Sequence, residues 1–387
     1  MNILRPGWLL LAMSLAACGG GGTETSPVEP PPPIPPGTRW ASLGEVPASD
    51  SPVGNHTPLV VSNDEVLVGT ADGIWRRAIG VGGTWTRSGL AGLKVYVLRI
   101  DPANRLTLFA GGEPARQDQS TFYRSDDGGQ HWIPAQRWYV PPRPNDIVPI
   151  YDLAILPSDP RVMFASVNSS IAVSSDGGMT WTLANGATEE SFGASLVLHI
   201  PAGNPPYLVI GSEAPLDFAG VGSLAIDSAN PFYFTQAGPW NVGFDVLSNR
   251  RPNSFASGPT RPGTVYAGVE GGLLALTSTS FEWIYRSDGT TSARPYVYVR
   301  GIWLDPNDRD HLIFGGKVNG VDSRLSLFET PDHGASLEWI DPPQAFNDPS
   351  VEQIVPYGSS ELVVLVSDGD GASTGARRLF AYRLSTH

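Results

Sequence analysis

Cysteine is almost missing from this chain of 387 residues, which contains one. A single cysteine excludes an intrachain disulfide framework. Charge is sparse too, at 16% of residues, and its basic share is the smaller: 25 Lys and Arg stand against 38 Asp and Glu, a net of −13. An acidic chain of this kind excludes binding of DNA, RNA or an anionic lipid surface across a broad face. No segment of about a dozen residues sustains a 3.6-residue apolar period, so almost no helix is expected. The six histidines (His56, His131, His199, His311, His333, His387) are scattered without metal-ligand spacing. No phosphate-binding or dinucleotide glycine motif occurs. Neither a metal nor a cofactor is therefore expected.

What is present begins with the N-terminus. One positive charge, Arg5, precedes an apolar run from Trp8 to Ala17 and then Cys18. This is the layout of a secretory signal at residues 1–17, and the run is too short to span a membrane as a mature helix. The junction Leu15-Ala16-Ala17-Cys18 resembles the lipobox cut by lipoprotein signal peptidase. The resemblance implies a lipid thioether on Cys18, which then becomes the N-terminus; the alternative is an ordinary signal peptide cut after Ala17, leaving a free thiol. Two or three acyl chains, at about 0.8 kcal/mol per buried methylene, would anchor stably. Residues 18–37 follow with Gly19 to Gly22 and then Pro27, Pro30 to Pro33, Pro35 and Pro36. Such a stretch is a tether, floppy where glycine dominates and extended at ~3 Å per residue where proline does. Glycine after the cysteine, where aspartate is absent, leaves outer-membrane transport open, on the periplasmic or the surface side.

The body, residues 38–387, repeats itself. Residues 95–136 read as an apolar strand, a turn (DPANR), a second strand (LTLFAGG), a polar loop, a third strand (TFYRS), a tight turn (DDGGQ) and HWIPA. The next unit repeats the order with VMFASV, IAVSS, DGGMT and WTLANG. Short alternating runs bounded by Gly, Pro and Asp are the pattern of a four-stranded antiparallel sheet. Seven units are counted, near 59–90, 95–136, 150–186, 194–238, 255–288, 299–342 and 351–387. A period of roughly 40 residues fits propeller blades, and the strand patterning excludes helical solenoids. The seventh unit ends after its third strand, and Arg39-Trp40-Ala41-Ser42-Leu43-Gly44 resembles the missing fourth. The expected fold is all-β: a single seven-bladed β-propeller of four-stranded antiparallel blades, closed by an N-terminal strand that removes unpaired edges.

Two turns carry Ser-x-Asp-x-Gly-x-x-Trp: Ser125, Asp127, Gly129, Trp132 and Ser174, Asp176, Gly178, Trp181. A degenerate copy, stretched by two residues, holds Thr330, Asp332, Gly334 and Trp339, and Gly82-Gly83-Thr84-Trp85 has lost the Asp. Aspartate can accept backbone N–H bonds within a tight turn and glycine supplies positive φ, so these residues are expected to make the fold. The tryptophan would bury its ring between blades. On these motifs the chain resembles the BNR/Asp-box propellers, a superfamily including sialidases, sortilin-type receptors, xyloglucanase-type hydrolases and the photosystem II assembly-factor group. The resemblance implies Asp-boxes on the face away from the ligand site. It implies the fold and not one activity, because unrelated functions share it.

Chemistry is harder to find. The Arg-Ile-Pro element of sialidases is absent, and nothing in the sequence makes Arg87, Arg143 and Arg294 converge. Gly371-Ala372-Ser373-Thr374-Gly375 matches a nucleophile-elbow string but has no helix after it. Asp368-Gly369-Asp370-Gly371 lacks the third oxygen ligand and closing Glu of a calcium loop. Acidic residues placed on the ligand face are Asp72, Glu113, Asp118, Glu213, Asp217, Glu270 and Asp322, of which any two could make the carboxylate pair of a glycosidase. Loop aromatics there are Trp138, Tyr139, Trp240, Tyr296 and Phe346, with Arg143 beside them. For each, the competing role is packing against a neighbouring blade. The leading reading is a monomeric, membrane-anchored extracytoplasmic scaffold that binds a protein or glycan ligand. The alternative is a glycoside hydrolase using paired carboxylates.

Overall fold

The computed structural model describes residues 39–47, 58–80, 82–137, 148–167, 170–184, 196–201, 206–212, 220–227, 229–232, 234–237, 242–243, 250–287, 294–319, 324–369 and 376–384. Among them every regular element is a strand. The strands pair antiparallel in chain order, in groups of four, with the sixth and last groups joined into one eight-stranded sheet where Lys317 pairs with Ser350. The first group is Leu59–Ser62, Glu65–Thr70, Gly73–Ala78 and Thr86–Gly89; the second is Leu93–Asp101, Asn104–Pro114, Phe122–Ser125 and Ile133–Pro134. The third comprises Asp152–Ile155, Met163–Val167, Ser170–Ser174 and Thr182–Leu183. The fourth comprises Leu196–His199, Tyr207–Ser212, Gly220–Ile226 and Phe234–Ala237, with Val242–Gly243 pairing to its third strand as well. The fifth is Pro252–Ala256, Val265–Val269, Gly272–Leu276 and Phe281–Arg286, and the sixth Val297–Leu304, Leu312–Val318, Ser326–Thr330 and Glu338–Trp339. The last has Pro349–Tyr357, Glu361–Asp368 and Ala376–Arg383, and Trp40–Glu45 pairs antiparallel on its outer edge.

The second strand of each group is buried on both faces, which explains its unbroken apolar sequence. Its glycines are spacers. A Cβ on Gly69 would come within 2.5 Å of Val95, and one on Gly111 within 2.7 Å of Ile150, both on the following group. Groups thus pack face to face, and the core is distributed as layers between neighbours. One layer joins the third and fourth groups through Phe164, Val173, Leu198 and Leu208. Another joins the last to the first through Leu43, Val61, Val68, Val363 and Leu365.

Polar bonds stitch the inner strands from group to group. Arg99 Nη2 pairs with Asp152 Oδ1 at 2.7 Å, and Asp152 Oδ2 accepts the Leu198 amide at 2.8 Å. His199 Nε2 meets Ser257 Oγ at 2.9 Å. Gln353 clasps Leu59, accepting its amide and donating to its carbonyl, both at 2.9 Å. Burial pushes the Asp152 carboxyl up, while the Arg99 charge and the Leu198 and Leu153 amides hold it down.

Candidate functional site

The Asp-box turns are built alike. Ser125 Oγ donates to Asp127 Oδ1 at 2.8 Å and accepts the Gly129 amide at 2.8 Å, while Asp127 Oδ1 accepts the amides of Gln130 and His131 at 2.9 Å. Ser174, Asp176, Gly178 and Thr180 repeat the arrangement, with the Thr180 hydroxyl donating to Asp176 Oδ2 at 2.6 Å. In the stretched copy Thr330, Asp332, Gly334 and Ser336 make the same bonds. The two extra residues therefore lie after Ser336, not inside the turn. Leu337 takes the position of the tryptophan, and Trp339, two residues on and so on the same strand face, packs tilted against Phe328 at 4.9 Å. Trp181 is buried edge-on against Phe122 of the preceding group at 5.1 Å, and Trp132 reaches Ser88 of the first group at 3.3 Å.

These bonds hold the Asp176 carboxyl below the usual range: burial pushes it up, but the Thr180 hydroxyl and amide and the Ser174 hydroxyl outweigh it. Because Asp176 faces solvent, Asp176→Ala is expected to cost only about 1–2 kcal/mol. A carboxyl with a lowered folded pKa contributes stability above its unfolded value, near 4, and loses it as pH falls through the folded one. The difference in urea midpoint between the wild type and Asp176→Ala should be full at pH 7 and shrink below pH 4. A difference that grows in acid would contradict this account.

Alternating strand direction places these turns and the first-to-second-strand turns on one face, joined by bonds such as Gly128 N to Leu106 O at 2.8 Å and Gly177 N to Arg161 O at 2.9 Å. The opposite face carries the second-to-third-strand turns and the group-to-group connections. Of the residues the sequence places there, Trp138, Tyr139, Arg143, Glu213, Asp217, Trp240 and Asp322 lie outside the described residues, as do Cys18 and the string from Gly371 to Gly375. The four described carboxylates each have their own partner. Asp72 takes Arg87 and the Gly92 amide, both at 2.7 Å; Glu113 accepts the Tyr96 hydroxyl at 2.6 Å; Asp118 pairs with Arg116; Glu270 pairs with Arg251 at 2.5 Å. Phe346 is buried against Phe380 at 6.0 Å and packs in the core. Asp368 accepts the Asn347 and Asp348 amides and pairs with Arg378 at 3.2 Å, the bonding of a turn anchor. Among the described residues no three His, Cys, Asp or Glu side chains could together hold a metal ion.

Tyr296 is the exception, because it belongs to a cluster. The Arg250 guanidinium lies over Trp283 at 5.1 Å and over Tyr296 at 5.4 Å, and Arg286 covers Trp283 at 5.3 Å. Tyr298 meets Tyr296 edge-on at 5.6 Å, and Arg250 Nη1 donates to Gly271 O at 2.9 Å. Burial holds the Arg250 guanidinium below its ordinary value, with the Arg286 charge adding to it and Tyr296 and Glu270 opposing it. The cluster therefore sets cations on flat aromatic faces in an otherwise acidic chain, and Arg250 gains from any anion that reaches it. Sequence reasoning found Tyr296 and missed Arg250, Trp283 and Arg286. The signal was one of three Arg-Arg pairs in the chain, Arg250-Arg251, set in a connection.

The fold is that of a β-propeller. The structure is similar to YCF48 from Cyanidioschyzon merolae (TM-score 0.58, 14% identity, covering 89% of this chain and 99% of that one). It is also similar to YCF48 bound to D1 peptide (TM-score 0.53, 14% identity, 90% and 98%). The extracellular domain of the putative hybrid two-component system BT4673 from B. thetaiotaomicron aligns at TM-score 0.55 and 14% identity over 88% of this chain, which spans only 39% of that one. No protein-family model matches the sequence, and no curated protein does.

Proposed function

We propose that this chain is an exported, lipid-anchored propeller of seven four-stranded blades, closed by its N-terminal strand, that binds a protein ligand on the face of its blade-to-blade connections. The observation that carries the reading is the Arg250–Trp283–Arg286–Tyr296 cluster on that face. Arginine and large aromatics are the residues enriched at protein interfaces, where rigid rings supply area and the guanidinium supplies directed bonds to carboxylates. The partly desolvated Arg250 favours a ligand that brings a carboxylate, such as an acidic side chain or a chain terminus. That one similar propeller is seen with a peptide bound supports a peptide-class ligand here. Anchoring rests on Cys18 and its preceding residues; among the described residues, no helix is long and apolar enough to cross a membrane.

A photo-crosslinking residue at Tyr296 in the membrane-anchored chain should trap a discrete polypeptide in cells, and Arg250→Glu should remove that band. Release of reducing sugar from glucan oligosaccharides, with no crosslink, would replace this reading with the hydrolase. Anchoring has its own test: a fatty-acid analogue should label the wild type and leave Cys18→Ser unlabelled and soluble.

A further inference from the structure

Among the described residues the inner strands surround a central cavity of about 480 Å³, with Pro102 and Pro157 of first-to-second-strand turns, and Pro356 near the end of its strand, at one mouth. The mouth is thus on the Asp-box side, away from the Arg250 cluster. Its wall is mixed: apolar residues of the inner strands, such as Leu98, Leu198 and Ile302, alternate with polar ones such as Asn253, Ser254 and Gln353. Its charges do not balance. Among the described residues the lining holds three arginines, Arg99, Arg105 and Arg300, and one carboxylate, Asp152, which Arg99 already engages at 2.7 Å. Burial, with the Arg99 charge, lowers the pKa of His199 to about 4, so this lining imidazole is neutral at pH 7 and supplies no compensating charge of either sign.

Arg300 is the unusual member. It is the extra residue of a β-bulge, where the pairing of Val297–Leu304 with the next strand shifts between Val299 and Gly301. Asn253 is the extra residue of the corresponding bulge in the inner strand before it, and both line the cavity. Bulges re-aim side chains, and here they turn two polar groups to the cavity. Arg300 Nε is shut off from solvent without a hydrogen-bond partner, and no carboxylate among the described residues pairs with the guanidinium. Three arginines against one engaged carboxylate leave the described lining with positive charge in excess, which an anion in the cavity would offset.

We infer that the central cavity binds a small amphipathic carboxylate, its head on Arg300 beside Asn253 and its apolar body against the ring of inner-strand side chains. The volume is in the range of small-molecule sites. The apolar part of the wall suits a short alkyl chain, and the excess of arginines suits an anionic head.

The test titrates sodium hexanoate and octanoate into the detergent-free full chain by calorimetry, with 1-octanol as the uncharged probe. One carboxylate should bind per chain, tightening by about fourfold per added methylene. Arg300→Gln should weaken octanoate at least tenfold and leave 1-octanol unchanged, and Arg300→Lys should recover part of the loss. Arg250→Ala should bind octanoate as the wild type does, which separates this site from the connection face. Arg300→Gln should also melt close to the wild type, since Arg300 is half-buried and no ion pair among the described residues is lost with it. Absence of binding, uptake of several equivalents, or equal affinity in Arg300→Gln would overturn the site. A large fall in the Arg300→Gln melting temperature without loss of octanoate binding would make Arg300 structural.

Discussion

Deleting residues 19–46 is expected to destabilise the propeller by about 5 kcal/mol, whereas deleting 19–37 leaves its melt unchanged. The shorter deletion removes a glycine- and proline-rich stretch with few side chains to bury. The longer one removes Trp40–Glu45 and its ladder on Ala376–Arg383. Leu43 and Val46 are buried, and the Trp40 ring packs tilted against Tyr382 at 4.6 Å and donates through Nε1 to Asp341 O at 2.8 Å. Two large apolar side chains at about 1.5–3 kcal/mol each, with the lost ladder bonds at about 1 each less relaxation, reach that total. For a body of this size the loss corresponds to a fall of roughly 5–10 °C in melting temperature. The edge of Ala376–Arg383 is then bare, so the truncated protein should also aggregate on warming, seen as light scattering at the transition. Two truncations melting within a degree of each other would show that Trp40–Glu45 does not hold the last group to the first.

Local pattern makes the strands and Asp-boxes legible from the sequence alone. The runs LTLFAGG, VMFASV and LVVLV announce buried strands because the second strand is covered on both faces, and Gly-Asp turns mark their ends. The bonding of Asp332 survives a two-residue stretch because that insertion falls in the strand, where a step of two keeps Trp339 on the same face. What stays hidden is non-local. Nothing in the sequence near Arg300 signals a bulge, because the shift belongs to the pairing of two strands and not to either alone. Trp283 reads as one more fourth-strand tryptophan, and only the approach of Arg250 from a connection more than 30 residues earlier makes it part of a cluster. Phe346 shows the reverse: a connection aromatic placed on the ligand face by sequence fills the core, because Phe380 lies beneath it.

The Glu329 carboxylate, 1% exposed, carries the second large effect. It receives Arg39 Nη2 at 2.6 Å, the Tyr382 hydroxyl at 3.2 Å and His311 Nε2 at 2.9 Å, so it ties the N-terminal segment, the last group and the sixth group together. Asp305 holds the other ring nitrogen of His311 at 2.9 Å. Glu329→Ala leaves Arg39 and His311 facing an empty site and is expected to cost about 3–5 kcal/mol, the range for breaking one side of a buried pair. Burial lowers the His311 pKa, but its bonds to Glu329 and Asp305 more than offset this and raise it overall. A raised folded pKa means that His311 contributes its full stability below its unfolded value, about 6.5, and loses it as pH rises through the folded value. The wild type should therefore lose stability from about pH 6 upward. Glu329→Gln, which keeps the shape and removes the charge, should flatten that slope as well as lower the melt. Arg39→Met combined with Glu329→Gln should be less destabilising than the sum of the two, since each removes the same contact. Strict additivity, or an unchanged pH slope in Glu329→Gln, would mean that Glu329 only fills space between the sixth group and the last.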